Sequence, residues 1–354
     1  MLSIKSTTAA ILMRSGQPLV IDEINLPREL KDGQVLVEVI TSGICGAQIN
    51  EIDAVKGPDK FLPHLLGHEG FARVIEVGLR VEKICPGDYV IMHWRPSSGI
   101  QSAPAIYEWR GKNLNAGWVT TFNNHAVVSE NRLTKIIPGV LEQQVLPLLG
   151  CALTTAYGVL KNDSIASSRD SVLVFGSGGV GLAIVEVAKI FDIKDIVIVD
   201  INEEKLLYAS KLGAKTTVKF TSKAETLHVL ENIYSNYLPT IAIDTTGNID
   251  AIEICYEVSA SNARVILVGV PKVGTKASIY TLPLHFEKVL KGSEGGHSKP
   301  EKDIPYLLKL IADNKISFKD YPTQTFSIDQ INNAISQLKN GVVGRMIIDF
   351  TKSK

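Results

Sequence analysis

Four residues able to bind or assist a metal stand in short glycine-flanked segments: Cys45 in Gly43-Ile44-Cys45-Gly46, His68 and Glu69 in Gly67-His68-Glu69-Gly70, and Cys151 directly after Gly150. One thiolate, one imidazole and a second thiolate are the donors with which a catalytic zinc is held while its fourth position stays open. Spacing alone does not make them ligands. Cysteines also serve as small buried hydrophobes and a histidine as a hydrogen-bonded core residue, and on residue type alone that plainer reading is the stronger. A second signature lies further on. Gly176-Ser177-Gly178-Gly179-Val180-Gly181 follows the apolar run Ser171 to Phe175 and opens a helical stretch, and Asp200 closes the next apolar run. The glycines allow a tight turn and close approach of a pyrophosphate, and the helix start offers unpaired N–H groups. Asp200 can accept hydrogen bonds from the adenine-ribose hydroxyls, and its charge repels a 2′-phosphate, which favours NAD over NADP. Its plainer alternative is a strand-end turn residue. Glycine turns by themselves are common; strand, turn, helix, strand and acid in that order are specific. Lys205 reads either as a second ribose contact or as an exposed helix lysine.

Two kinds of scaffold are needed to position these groups. The first third of the chain is rich in Gly and Pro, with β-favouring runs at Gln34 to Ile40, Phe71 to Val77 and Tyr89 to Met92, separated by turn signals such as Asp32-Gly33 and Pro86-Gly87-Asp88. That pattern predicts a compact strand-rich domain. From Ser171 the pattern alternates: strand to Phe175, helix over Val180 to Phe191, strand over Asp195 to Val199, helix over Glu203 to Leu212, then strands at Thr240 to Asp244 and Arg264 to Val268. Near-continuous apolar strands alternating with helices predict a parallel sheet covered on both faces, an α/β fold. Helices over Ile304 to Asn314 and Ser327 to Asn340 and a last strand over Arg345 to Phe350 complete the chain. The stretch Pro96 to Asn123 is long and irregular, as functional loops often are.

The 354 residues suit two domains, and a composition of 45% hydrophobic and 21% charged residues suits a large buried core. Lys plus Arg and Asp plus Glu both number 37, so no net field steers the chain to nucleic acid or to an anionic membrane. A small-molecule partner is expected. The four cysteines are widely spaced and no apolar run reaches spanning length, which predicts a cytoplasmic protein with neither export nor membrane insertion.

The strings FLPHLLGHEGFARVIEVG (Phe61 to Gly78) and LGCALTTAYG (Leu149 to Gly158), the run Val174 to Asp200, Val268-Gly269-Val270-Pro271 and the terminal Gly344-Arg345 stand in the order found in one family. Over almost its whole length the chain resembles the zinc-dependent medium-chain alcohol dehydrogenases. The resemblance implies a strand-rich GroES-like catalytic domain over residues 1–152 and 291–354, and a Rossmann domain with a doubly wound parallel sheet over 153–290. It implies zinc ligation by Cys45, His68 and Cys151, with Glu69 a neighbour able to approach or briefly coordinate the metal. Thr155 would lie against the nicotinamide, Val268 and Val270 would line its site with Gly176, Gly178, Gly179, Val180, Gly181, Asp200 and Lys205 on the rest of the coenzyme, and Arg345 would reach the pyrophosphate. Hydride would pass between the substrate carbon and the nicotinamide, with zinc as the Lewis acid.

Departures from the family pattern sharpen the expectation. Ala47 stands where a Ser or Thr hydroxyl usually passes the alcohol proton onward, Asn50 where some members have a histidine, and Gln48 where an acidic residue often supports the ligand histidine. The proton is therefore expected to leave through water, the coenzyme ribose, Glu69, His93 or His125. Residues 97–123 contain no cysteine, so no structural zinc is expected beside the catalytic one. Ala47, His93, Trp94, Arg95 and Trp118 are the expected substrate contacts. Aromatic faces, amides and arginines together suit a sugar, polyol or other secondary alcohol. A primary-alcohol or aldehyde dehydrogenase, or a catalytically silent dinucleotide-binding protein, is the alternative. Pairing of strands from Arg264 to Val268 and Ser278 to Leu282 between subunits predicts a homodimer or homotetramer.

Overall fold

Alternation of apolar and polar residues in the first third makes short paired strands, since a strand sends successive side chains to opposite faces. In the computed structural model, which describes residues 2–319 and 321–352, these are β1 (Ser6–Leu12), β2 (Val20–Asn25), β3 (Gln34–Ile44), β4 (His64–Leu65), β5 (Glu69–Val77), β6 (Tyr89–His93), β7 (Tyr107–Trp109), β8 (Lys112–Leu114), β9 (His125–Ser129) and β10 (Leu133–Ile136), with one helix, α1 (Gly46–Ile52). Strand β3 is buried almost throughout because its two faces enter different cores: Val35, Val37 and Val39 join one apolar cluster and Leu36 another. In β1, Ala10 and Leu12 join the first cluster and Ala9 and Ile11 the second. The expected irregular stretch after Pro96 in fact carries a hairpin. Strands β7 and β8 are joined by Arg110-Gly111, both at positive φ (52° and 74°), the conformation a two-residue hairpin turn demands. Trp109 Nε1 and the Arg110 guanidinium, both on Asp22 at 2.9 Å, fasten it to β2.

The second set of elements is α2 (Ala152–Gly158), β11 (Ser171–Phe175), α3 (Gly179–Val187), β12 (Asp195–Asp200), α4 (Glu203–Leu212), β13 (Thr216–Lys219), α5 (Lys223–Ile233), β14 (Ile241–Asp244), α6 (Ile249–Glu257), β15 (Arg264–Leu267) and β16 (Val289–Gly292). All six strands pair in parallel, in the order β13-β12-β11-β14-β15-β16. The order reverses direction between β11 and β14, the switch point at which doubly wound sheets bind ligands outside the carboxyl ends of their strands. Helices α5 and α6 cover one face through Leu230, Ala251 and Ile254. Side-chain caps fix three helix starts: Asn202 accepts from the backbone N–H of Glu204 and Lys205, Ser222 from Glu225, and Asn248 from Ala251. Ser278 to Leu282 forms no strand. A 3₁₀ turn over Leu282–Phe286 follows it, with Pro283 lacking the N–H a ladder needs, and the sheet edge is β16 instead.

The chain returns to the first set through α7 (Pro300–Ala312), β17 (Thr323–Phe326), α8 (Ile331–Lys339) and β18 (Arg345–Asp349), β18 lying antiparallel to β3. Two compact units result: residues 1–151, 299–312 and 318–354, and residues 152–298 and 313–317. The second boundary falls after residue 298 rather than 290, because β16 runs on to Gly292 in register with Leu267. Among the described residues, no helix is long and apolar enough to cross a membrane.

Candidate active site

Three separate places in the first unit supply the metal donors. Cys45 follows β3 and caps α1, His68 precedes β5, and Cys151 ends the turn over Leu146–Gly150. Two glycines make the approach possible. Gly67 adopts φ +94°, and a Cβ there would lie 2.8 Å from the Thr121 backbone nitrogen; at Gly150 it would lie 2.2 Å from the Met92 carbonyl oxygen. The donor atoms of Cys45, His68 and Cys151 lie within 4.8 Å of one another, and His68 Nε2 is buried without a hydrogen-bond partner. A buried imidazole nitrogen left open between two sulfurs fits zinc, whose soft and borderline ligands are thiolate and imidazole.

The electrostatics favour a cation at the same place. By themselves the two sulfurs share a proton: the Cys151 thiol hydrogen bonds to Cys45, which lowers the Cys45 pKa and raises that of Cys151. Burial pulls the His68 pKa down, but the Cys45 sulfur beside the ring, with the charge of Glu69, outweighs it and the net shift is upward. Zinc replaces such protons, since its ligands bind deprotonated.

Glu69 stands outside this triangle. Its side chain is fully buried and its two oxygens accept from Nε and Nη2 of Arg345, each at 3.0 Å. Burial raises the Glu69 pKa, against the opposing charge of Arg345. Arg345, expected at the coenzyme pyrophosphate, has its guanidinium buried and bound bidentate to Glu69 through Nε and Nη2, because β18 lies beside β3 and places it under the ligand turn. Glu69 is correspondingly a partner of Arg345 rather than a member of the converging donor set.

His93, expected as a proton relay or substrate contact, is a hydrogen-bonded core residue. Both of its ring nitrogens are engaged, Nδ1 with the Arg95 carbonyl at 2.7 Å and Nε2 with Thr134 Oγ1 at 2.9 Å. Burial lowers its pKa to about 4, so near neutrality it is an uncharged core residue and no proton relay. Because the folded-state value lies below the ordinary 6.5, His93 favours the folded state above pH 6.5 and ceases to as pH falls toward 4. The difference corresponds to about 3 kcal/mol. His93→Gln is expected to flatten the acid side of the stability–pH curve by this one proton in urea unfolding, and an unchanged slope would refute the assignment. His125 is also remote from the metal donors. It pairs with Glu38 in β3, roughly 20 Å along the strand from Cys45.

The remaining expected substrate residues lie in the same unit. Ala47 is exposed on α1. Arg95 lies over the Trp94 ring at 5.6 Å, and Arg132 over the half-exposed Trp118 ring at 5.6 Å. Arg132, which sequence reasoning missed, donates to the Trp94 carbonyl and to Gln101 Oε1 and so joins these residues in one patch. The patch adjoins the metal ligands through the register of His93 with Glu69. Also missed were Ser42 and Thr121, whose buried hydroxyls meet at 2.7 Å while Ser42 donates to the Glu69 carbonyl oxygen.

In the second unit, residues expected at a coenzyme lie at the carboxyl ends of β11, β12 and β15. Gly176 follows β11 and Gly178 caps α3, with Gly179, Val180 and Gly181 in its first turn. The Asp200 carboxylate accepts from the backbone N–H of Ser177 at 2.6 Å and of Asn202 at 2.9 Å, bracing the glycine turn. Lys205 is half-buried in the first turn of α4, and Thr155 is buried in α2. The backbone N–H groups of Val268 and Gly269 bond to the Asp244 carbonyl, while Val270 is 43% exposed. Asp244 was also missed. Its buried carboxylate accepts from the backbone N–H of Thr246 and Gly247, both at 2.9 Å, and burial raises its pKa. The signal was a Asp-Thr-Thr-Gly turn directly after an apolar strand.

Known proteins agree with this arrangement. The family described as alcohol dehydrogenase GroES-like domain matches residues 31–138, and that described as zinc-binding dehydrogenase matches residues 179–313. An S-(hydroxymethyl)glutathione dehydrogenase of Escherichia coli is 28% identical, covering 97% of this chain and 99% of its own. Among solved structures, an alcohol dehydrogenase zinc-binding domain protein from Burkholderia ambifaria superposes with TM-score 0.87 at 24% identity, covering 98% of this chain and 99% of its own. Benzyl alcohol dehydrogenase from Acinetobacter calcoaceticus superposes with TM-score 0.86 at 23% identity and the same coverage. Matches over both parts of the chain, with the Cys45, His68 and Cys151 donors brought together, place this protein in the zinc-dependent medium-chain alcohol dehydrogenase family, oxidoreductases that act on alcohols.

Proposed function

We propose that this chain is an NAD-dependent dehydrogenase with one catalytic zinc, which oxidises a sugar, polyol or other secondary alcohol and in reverse reduces the carbonyl. The observation that carries the reading is the buried, unpartnered His68 Nε2 beside two cysteine sulfurs. Held by Cys45, His68 and Cys151, zinc supplies Lewis acidity toward the substrate oxygen. The two thiolates balance a divalent charge and the Glu69–Arg345 pair adds none, so the site suits a neutral alcohol. Ala47 offers no hydroxyl, Asn50 does not titrate near neutrality, and His93 is uncharged, so none of these three side chains takes up the alcohol proton. Trp94, Arg95, Trp118 and Arg132 supply ring faces and N–H donors of the kind a hydroxyl-rich substrate uses.

The test is a panel of sugars, polyols and their phosphates with NAD, read by NADH absorbance, with benzyl alcohol and S-(hydroxymethyl)glutathione included. Turnover of hydroxyl-rich secondary alcohols supports the reading. Preference for primary alcohols would replace it, and NADH binding by fluorescence without turnover of any alcohol would mark a silent dinucleotide-binding protein.

Asp200 supports NAD over NADP, since each of its oxygens retains acceptor capacity beyond the bonds it makes to Ser177 and Asn202. A hydrogen bond to a charged group contributes about 1.5–3 kcal/mol. Asp200→Ser is therefore expected to lower the NAD over NADP ratio of kcat/KM by about 10- to 100-fold. A ratio unchanged by the substitution would remove Asp200 from coenzyme choice.

We infer a homo-oligomer from the sheet edge. In β16, the end strand of the sheet, and in the segment leading into it, Tyr280, Leu282, Phe286 and Val289 are 70, 48, 63 and 41% exposed, and a second copy of the chain would cover them. Light scattering should give a multiple of the chain mass, reduced to one chain by Phe286→Asp; a monomeric wild type would dispose of the inference.

A further inference from the structure

The metal donors are braced by a residue that is not itself a donor. Gln48, on α1, is 1% exposed and touches two of the three ligands. Its Oε1 accepts the Cys45 backbone N–H at 3.0 Å, and its amide nitrogen lies against His68 Nδ1. With Nδ1 so engaged, the unpartnered Nε2 is the nitrogen left to coordinate. A neutral imidazole that gives its Nε2 lone pair to a metal carries its proton on Nδ1, and that N–H calls for an acceptor, commonly a carboxylate or a backbone carbonyl.

Gln48 therefore faces two donors, Cys45 N–H and His68 Nδ1–H, with a single acceptor atom, because an amide NH₂ accepts nothing. In the orientation described, the oxygen serves Cys45 and the NH₂ meets the imidazole. Turned over, the oxygen would serve His68 and the NH₂ would face the Cys45 N–H. Neither orientation gives each donor an oxygen of its own, whereas a glutamate of the same length would.

We propose that Gln48 is a positioning residue that leaves the metal site under-braced, so that zinc is held more weakly and exchanges faster than a carboxylate at this place would allow. The inference rests on the zinc reading proposed above. One oxygen shared between two N–H groups orients the His68 ring less firmly and raises its basicity less than an ionised partner, and both effects loosen a histidine ligand.

The test uses the full-length zinc-loaded protein and its Gln48→Glu and Gln48→Ala variants. Zinc release to a chromophoric chelator is followed, with the visible spectrum of the cobalt-substituted proteins as a report on coordination geometry. Gln48→Glu is expected to hold zinc about 10- to 100-fold more tightly than wild type, and Gln48→Ala to release it faster by a comparable factor. The melting temperature of metal-free Gln48→Glu should stay with that of the wild type, which separates bracing from a general change of fold. A Gln48→Glu protein that releases zinc as fast as wild type overturns this inference alone. A wild-type chain that takes up no zinc overturns the zinc reading and this one with it.

Discussion

Replacing His68 with alanine is expected to lower zinc affinity by on the order of 10² and kcat/KM by on the order of 10³ while leaving the metal-free fold intact. The first figure follows from apparent zinc binding energies of about 10–16 kcal/mol for a full ligand set, which leaves about 3 kcal/mol for each ligand. The second follows from the several kcal/mol that a Lewis acid contributes to transition-state charge, at 1.36 kcal/mol for each tenfold in rate. His68 suits the test because its Nε2 has no protein partner to lose, so alanine removes a donor and breaks no hydrogen bond at that atom. Metal content, circular dichroism and kcat/KM measured on one preparation check all three parts. Full activity in a zinc-depleted His68→Ala protein would move the chain to the zinc-free reductases that share this fold.

Arg345→Met should destabilise the folded protein by about 3–5 kcal/mol in chemical denaturation, the usual cost of leaving one member of a buried ion pair without the other. Arg345 is 4% exposed and Glu69 fully buried, and two 3.0 Å hydrogen bonds join them. Without the guanidinium the carboxylate must stay ionised in an apolar place or take up a proton, a step made easier because burial already raises its pKa. The double variant Arg345→Met with Glu69→Gln should recover most of the loss, since no charge then remains. A single variant within about 1 kcal/mol of wild type would mean that the pair does not set stability. The loss is expected in stability first, because both members of the pair are buried in the first unit.

Much of the site was readable because it is carried by short continuous strings. The glycine turn, its following helix and Asp200 are local in sequence, and their chemistry follows from backbone geometry that glycine and a helix start impose wherever they occur. Gly67-His68 and Gly150-Cys151 were readable for a similar reason: each ligand is preceded by a glycine at a point too crowded for a Cβ. Partners supplied by distant strands were not readable. Arg345 lies 276 residues from Glu69 in the chain, and only the pairing of β18 with β3 reveals which anion it meets. Local spacing likewise could not separate a strand at Ser278 to Leu282 from the 3₁₀ turn and edge strand that the chain forms instead.

By itself the sequence determined that this is a two-domain α/β chain bearing a dinucleotide-type glycine turn, Cys and His residues suited to one metal, and an alanine where a hydroxyl relay usually begins. Tertiary structure decided which polar groups those residues meet. It made His93 a satisfied core residue, gave Arg345 the buried Glu69 carboxylate as its partner, and set Gln48 between two metal ligands with one oxygen for two donors. The physical reason is that a residue's type fixes what it can donate or accept, whereas its burial and its partners come from strands and helices far apart in the chain, and these decide which of those capacities remain free.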